Sequence, residues 1–495
     1  MVMLKNYLHH VQSAPQSIAV YDGGASYSYE QFHELVLRIA NVIEKFERPN
    51  VLIGLPQGFE AYASMVACQF AGGVYSPVNH VAPKERIRRI LHDFVPDIVI
   101  GLPSLASVCR DYGCKGIFVD ASAIPSSSNA MLKNRPHDIS YVMYTSGSTG
   151  MPKGVMVSRD SLDHFLTWWT KMVGYTSDDR ISQHPSIAFD LSVPDIYGGL
   201  SSGSCLVPFS RESDRLFPAR KIKHDRISIW NSVPSVVGLM NAAGEANSQN
   251  LESVRIFTFC GEPLLFDHLD TIFTARPVAT VFNTYGPTEA TVAVTYEKIT
   301  SSNYKNFCKP SAPLGKPAAG NRLHLEPTSE SDIFELSISG PQVAEGYLRD
   351  PEATAARFGS GKQASVTGTK RYRTGDYVEK KGDHLFFAGR KDQMIKLRGF
   401  RVELGEVRAA FEKLGWFVHH LFVHEDRLCA LLKRRMDTIF SEEEVRKDLA
   451  SYLDLHAIPS HLGVISQLPL GPNDKSQLDP AVLFACLKKA QATEK

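Results

Sequence analysis

The stretch Ile139-Ser140-Tyr141-Val142-Met143-Tyr144-Thr145-Ser146-Gly147-Ser148-Thr149-Gly150-Met151-Pro152-Lys153-Gly154 decides how this chain reads. Its first six residues are rich in β-branched and aromatic side chains, the make-up of a buried strand. The rest is a loop of hydroxyls, glycines and one lysine. Glycines let backbone N–H groups come close to an anion, Thr145 and Ser146 add hydroxyl donors beside Gly147, and Lys153 adds positive charge. Such a loop suits the phosphates of ATP. It is not the G-x-x-x-x-G-K-[ST] loop, because Pro152 precedes the lysine and Gly154 follows it. Kinase-like and GTPase-like readings therefore fail. A flexible Ser/Gly linker is the bland alternative, and the strand leading into the loop argues against it.

Working outward, helical stretches such as Tyr29 to Phe46 alternate with short apolar runs such as Val51-Leu52-Ile53-Gly54 and Asp97-Ile98-Val99-Ile100. The alternation continues from residue 27 to about 390 and predicts α/β layers. Ser331 to Gly340 and Arg371 to Phe387 read as strands punctuated by Gly and Asp. A boundary near Gly389-Arg390-Lys391-Asp392 divides the chain into a large domain, 1–390, and a small one, 391–495. In the latter, Val402 to Leu414 and Ser441 to Leu453 read as amphipathic helices, and Leu421 to Leu432 and Leu462 to Gln467 as strands. The expected architecture is a multi-layer α/β N-terminal domain followed by a small α+β domain.

Composition fits that picture and removes several classes of function. At 495 residues the chain exceeds one ordinary core, and 43% hydrophobic with 22% charged residues is globular usage. A net charge of +1 without a basic run gives no field to attract nucleic acid or a membrane surface. Met1 to Val20 carries Lys5, His9 and His10 but no continuous apolar core, so a cytoplasmic protein is expected. The eight cysteines have no C-x-x-C spacing, which predicts reduced, buried thiols.

A second chemical segment is Asn283-Thr284-Tyr285-Gly286-Pro287-Thr288-Glu289-Ala290-Thr291, an amide, a ring, hydroxyls and a carboxylate around a Gly-Pro turn. An amide reads adenine edges, a ring stacks on the base, and a carboxylate suits Mg²⁺, which takes one or two carboxylates besides phosphate oxygens. Then follow Tyr372-Arg373-Thr374-Gly375-Asp376, the segment Gly389 to Glu403, and Pro472-Asn473-Asp474-Lys475. In order and spacing these motifs resemble those of the adenylate-forming superfamily: acyl-CoA synthetases, luciferases and amino-acid adenylation domains. Within it, Phe189-Asp190-Leu191-Ser192-Val193, Phe257 to Glu262 and Asn283 to Thr295 look like the D-alanine:D-alanyl carrier protein ligases.

The resemblance implies roles for named residues. Asp190 stands where amino-acid-activating members pair a carboxylate with the substrate ammonium; desolvating an ammonium costs several kcal/mol, so a buried partner is physically required. Read alone, Asp190 is also a good N-cap for a helix starting at Leu191. The pocket would be lined by Pro194, Asn231, Thr258, Cys260, Thr284, Val292 and Ala293, with the bulk of Cys260 favouring one placement of the substrate methyl. Thr145, Ser146, Gly147 and Lys153 would hold phosphates. Glu289 would hold Mg²⁺ and Thr288 would lie near the α-phosphate, while Asn283 and Tyr285 would meet adenine within the run Asn283 to Thr288 that includes Gly286 and Pro287. Asp376 would accept the ribose hydroxyls, flanked by Phe387 and Arg390. Lys475 would bridge the substrate carboxylate and α-phosphate as an electrostatic catalyst, and Asp392 would be the hinge about which the small domain turns.

The implied reaction is adenylation of a small amino acid, D-alanine first, by Mg-ATP, followed by transfer to the phosphopantetheine thiol of a carrier protein. Lys396, Arg398 and Arg401 would line the thiol channel or face an acidic carrier, although a solvated charged face explains them equally well. The chain departs from the family pattern at Asp474 and Ser476-Gln477 around the catalytic lysine, at Phe334 before Glu335, and at Asn79 to Pro83. Asp474 matters most, since a carboxylate beside Lys475 can pair with it. The alternatives are the same chemistry with L-alanine, glycine, serine or proline, a nucleotide-binding protein without turnover, and a CoA-thioester ligase, which Asp190 disfavours.

Overall fold

The computed structural model describes residues 2–124, 138–145, 152–308, 310–359, 370–390, 394–397, 400–433, 440–465 and 479–493. They form two compact units. One comprises Met1–His80, Leu91–Tyr144 and Gly154–Lys391; the other comprises Val81–Ile90, Thr145–Lys153 and Asp392–Lys495.

In the first unit the strand Ile139–Thr145 lies inside a seven-stranded sheet. The order is Gly346–Tyr347, Lys153–Ser158, Ile139–Thr145, Val74–Pro77, Asn50–Gly54, Ile98–Gly101 and Ile117–Val119. From Ile139–Thr145 onward these neighbours are parallel. Val51, Leu52, Ile53, Ile98, Val99 and Ile100 are all fully buried, as continuous apolar runs in a parallel sheet covered on both faces must be. The helix Phe59–Ala71 is buried on every side from Ala61 to Ala71, which fits its apolar circumference. The first long helix starts where its sequence dictates. Ser28 Oγ accepts from the Gln31 N–H at 3.2 Å and the Gln31 amide oxygen accepts from the Ser28 N–H at 2.9 Å, so the helix runs Tyr29–Ile43, ending short of Phe46.

A nine-stranded sheet carries most of the site. Its central strands Ile256–Phe259, Ile229–Ser232, Arg180–Gln183 and Cys205–Pro208 are parallel, with Thr280–Tyr285 parallel beside Ile256–Phe259. A four-stranded antiparallel sheet, Arg322–Pro327, Ile333–Ser339, Arg371–Lys381 and His384–Arg390, completes the unit. Arg371 to Phe387 is thus two strands of a hairpin. Phe334, the departure from the family's glycine, stands opposite Pro327 and Val378 and packs on that sheet's own apolar cluster.

The second unit holds the hairpin Met394–Leu397 with Phe400–Glu403 and the sheet Phe417–His424, Arg427–Lys433, His461–Ile465. Among the described residues after 392 its α-helices are Leu404–Lys413, Glu442–Leu449 and Pro480–Thr493. Two expectations change here. Val402 and Glu403 end a strand, and the helix starts only at Leu404. Leu421 to Leu432 is a hairpin, because Glu425 and Asp426 both adopt positive φ, 47° and 55°. Such two-residue turns usually carry Asn-Gly or Asp-Gly, and Glu-Asp gives no such warning. Ser441 caps its helix, accepting from the Glu444 N–H at 3.3 Å.

Candidate active site

Three parallel strands end side by side and deliver polar groups to one edge of the nine-stranded sheet, where open α/β sheets bind ligands. In register, Asn231 lies beside Thr258, and Phe259 beside Asn283. Thr258 Oγ1 donates to Asn231 Oδ1 at 2.8 Å. Asn231 Nδ2 in turn donates to the Leu191 carbonyl and to Asp195 Oδ1, both at 3.0 Å. These bonds stitch the Asp190–Ser192 turn to the strands. All four side chains, Asp190, Asp195, Asn231 and Thr258, are at most 5% exposed. Thr284 Oγ1 donates to the Phe259 carbonyl at 2.9 Å, and Cys260 Sγ lies 3.8 Å from the Val292 carbonyl.

Asp190 is not an N-cap. It is the first residue of a 3₁₀ turn whose capping position belongs to Phe189. A π-helical segment, Pro194–Gly198, follows at once, a form that concentrates at functional sites. It carries Asp195, which the sequence reading missed. Asp195 is fully buried, its Oδ2 has no hydrogen-bond partner among the described residues, and burial pushes its carboxyl well above the usual range against the opposing Asn231 bond. Nearby, His184 Nδ1 lies 3.1 Å from Ser232 Oγ, and burial with the Arg215 charge pulls this imidazole down to about 3. On this flank burial opposes charge, raising the Asp195 carboxyl and lowering the His184 imidazole.

The opposite flank is charged. Asp376 and Arg390 face each other across the antiparallel pair and form an ion pair, at 3% and 10% side-chain exposure. Tyr285 donates its hydroxyl to Asp376 Oδ2 at 2.5 Å, and burial together with Asp376 holds that phenol protonated. Arg390 also donates to the Thr374 carbonyl at 3.1 Å, and Thr374 Oγ1 accepts from the Asp376 N–H at 3.0 Å. Asn283 Nδ2 donates to the Pro313 carbonyl at 2.8 Å. Phe387 is half-buried against the apolar cluster of this sheet.

Between the flanks the chain turns from Pro287 through the 3₁₀ segment Thr288–Ala290. Glu289 is fully buried, and Tyr347 donates its hydroxyl to Glu289 Oε1 at 2.9 Å. Thr291 and Val292 then adopt positive φ, 57° and 68°. For β-branched residues this is strained backbone, costing about 1–3 kcal/mol each, of the kind that collects at functional sites. Gly286 permits the fold-back, since a Cβ there would lie 2.5 Å from Ala293 Cα. A buried carboxylate oxygen on this turn is a hard donor of the kind Mg²⁺ takes. Among the described residues no group of three or more His, Cys, Asp or Glu gathers, so a cation held here would draw its remaining ligands from phosphate and water, as Mg²⁺ does. The residues fit that ion.

At the ends of the Ser/Gly loop, Thr145 Oγ1 donates to the Lys153 carbonyl at 3.5 Å, and Tyr144 donates to Asp93 at 2.6 Å. Ser146, Gly147, Asp392, Arg398, Asp474 and Lys475 lie outside the described residues, as does the side chain of Arg401. No helix of the described chain is long and apolar enough to cross a membrane.

Comparison with known proteins gives a consistent result. The family model of AMP-binding enzymes matches residues 8–348. A D-alanine--D-alanyl carrier protein ligase of Listeria monocytogenes is 30% identical over 464 residues, covering 88% of this chain and 89% of its own. Bacitracin synthase 3 of Bacillus licheniformis is 30% identical over 90% of this chain, which spans 7% of that much longer protein. Among solved structures, the Vibrio cholerae adenylation domain AlmE in complex with glycyl-adenosine-5'-phosphate superposes with a TM-score of 0.82 at 25% identity, covering 99% of this chain and 98% of its own.

Proposed function

From the premise that this chain belongs to the AMP-binding, adenylate-forming enzymes, we propose that its substrate is D-alanine. It is an ATP- and Mg²⁺-dependent ligase that adenylates a small amino acid and passes it to the phosphopantetheine thiol of a carrier protein. The observation that carries the choice of an amino acid is Asp190. It is a buried carboxylate on a turn tied through Leu191 to the Asn231–Thr258 wall, and a desolvated ammonium requires such a partner.

In this reading the carboxylate oxygen of D-alanine attacks the α-phosphorus of ATP and pyrophosphate leaves. Thr145, Ser146, Gly147 and Lys153 hold the phosphates, Thr288 sits beside the α-phosphate, and Glu289 holds Mg²⁺, which neutralises charge on the phosphate oxygens. Asn283 and Tyr285 meet adenine. Asp376, held in place by Arg390 and Tyr285, accepts the ribose hydroxyls beside Phe387. Lys475 stabilises charge developing at the α-phosphate. The domain bounds 1–390 and 391–495 put Lys475 on the small domain, which turns at Asp392 so that a thiol can displace AMP. The supply of ATP places the reaction in the cytoplasm.

A second reading, glycine as the substrate, draws on AlmE, whose structure holds a glycyl adenylate. Cys260, seated against the Val292 carbonyl, favours a substrate with a methyl group to place. The test is amino-acid-dependent ATP/pyrophosphate exchange with D- and L-alanine, glycine, serine and proline. D-Alanine should dominate, Lys475→Ala should be silent, and Asp190→Asn should raise the amino-acid KM about 100-fold or more. Exchange led by another amino acid would transfer the protein to that substrate. Silence of the wild type would remove the catalytic reading and point to Asp474.

A further inference from the structure

Gln342 lies between the strands Ile333–Ser339 and Gly346–Tyr347 and is fully buried. Its side-chain amide nitrogen donates to the Ala293 carbonyl at 2.7 Å and lies 3.2 and 3.4 Å from the carbonyls of Thr291 and Ala290. Its amide oxygen accepts from the Trp168 indole N–H at 2.7 Å and from Asn321 Nδ2 at 2.6 Å, with His164 Nδ1 at 3.3 Å. The amide has only this orientation, because carbonyls only accept and an indole only donates. The backbone of the same segment closes the clasp. Thr291 Oγ1 donates to the Gln342 carbonyl at 2.8 Å, and the Ala344 N–H donates to the Glu289 carbonyl at 2.9 Å.

What is clasped is the strained turn. The Gln342 amide meets carbonyls on both sides of Val292, and Thr291 and Val292 are two successive β-branched residues at positive φ. Such backbone persists only where its surroundings over-determine it. The turn begins with the Glu289 carboxylate and ends with the Val292 carbonyl against Cys260. We propose that Gln342 is a positioning residue that sets the Mg²⁺ carboxylate and the amino-acid pocket together, by holding the Glu289–Ala293 turn in its strained form. This rests on the roles given above to Glu289 and Val292.

The test is the exchange assay on the full chain, reading the D-alanine KM and the Mg²⁺ concentration for half-maximal rate, with thermal unfolding measured in parallel. Gln342→Glu keeps the size and an acceptor for Trp168 and Asn321 but turns an oxygen toward the three carbonyls. Both readouts should rise together, about tenfold or more. Thr291→Asn introduces a residue that tolerates positive φ, and in that background the effect of Gln342→Glu should shrink several-fold. A folded Gln342→Glu protein with both values within about twofold of wild type overturns the proposal, as does a loss of kcat alone, which a merely smaller folded fraction would give. Should Gln342→Glu not fold, restored folding in the Thr291→Asn background supports the proposal and continued failure overturns it. A wild type silent with every amino acid overturns the functional reading itself, a result distinct from an active wild type whose variants leave both readouts unmoved.

Discussion

Asp376 and Asp195 are both carboxylates sealed inside the first compact unit, and they are built in opposite ways. Asp376 shares its two oxygens between the Arg390 guanidinium and the Tyr285 hydroxyl. Asp195 accepts from the Asn231 amide, keeps Oδ2 without a hydrogen-bond partner among the described residues, and has its carboxyl pushed well above the usual range by burial. A buried carboxylate can stay charged only where paired donors replace water; otherwise it becomes neutral. The flank assigned to ribose is therefore a fixed charge arrangement. On the flank assigned to the amino acid, burial disfavours charge on Asp195, which in the proposed role of Asp190 would leave that carboxylate to meet the ammonium.

The harshest way to break this contrast is Asp376→Ala. It removes the carboxylate that Arg390 and Tyr285 share at 10% and 7% exposure. Breaking a buried pair by deleting one partner costs about 3–5 kcal/mol, so urea unfolding should show a loss of that size. A loss under about 1 kcal/mol would mean that the pair behaves as a surface contact. Asp195→Ala should be milder, about 1–3 kcal/mol, because it strands one Asn231 N–H whose twin still reaches the Leu191 carbonyl.

Asp195→Asn sharpens the contrast through pH. The folded-state value of Asp195 is raised above its unfolded one, so above the ordinary carboxylate range the native protein holds a proton that the unfolded chain has released. Stability from this group is fully present below the unfolded value and is lost as pH rises toward the folded one, by about 1.4 kcal/mol per pH unit. The variant lacks that slope. Relative to wild type it should gain stability as pH rises from about 4, and unfolding curves for the two proteins that stay parallel across this range would show Asp195 to be ionised. Tyr62 and Tyr175, which are coupled electrostatically to Asp195, are themselves pushed upward first by burial and stay neutral there.

How much of this was legible beforehand follows the range of the contacts. The strand Ile139–Thr145, the helix beginning at Tyr29 and the alternation of strands with helices are set by neighbours in sequence, and they read directly. Asp376 and Arg390 also sit in recognisable motifs, though their facing register needs the hairpin to close. Asp195 and Gln342 gave no such signal. An aspartate five residues after Asp190 reads as a turn or surface residue until Asn231, 36 positions on, comes to meet it. Gln342 looks like part of a Gly-Pro turn until the Ala293 carbonyl, 49 positions back, lies against it. Residues whose roles depend on backbone strain or on an unpaired oxygen are invisible to spacing, because spacing records side chains and not dihedral angles.

The smallest effect belongs to Cys260, where the pocket wall should act through shape alone. The thiol is 5% exposed and lies against the Val292 carbonyl, next to backbone that Gln342 holds. Cys260→Ala removes one sulfur from that wall. A group of that size in an apolar pocket is worth about 1–3 kcal/mol of discrimination at most, so the ratio of D- to L-alanine exchange should fall by about tenfold, with the ATP KM and the pH profile unchanged. Cys260→Ser restores most of the volume with a polar atom and should recover most of the ratio. If instead the pH profile moves while the ratio holds, the flank works through charge after all, and the division drawn between Asp195 and Asp376 fails at its amino-acid end.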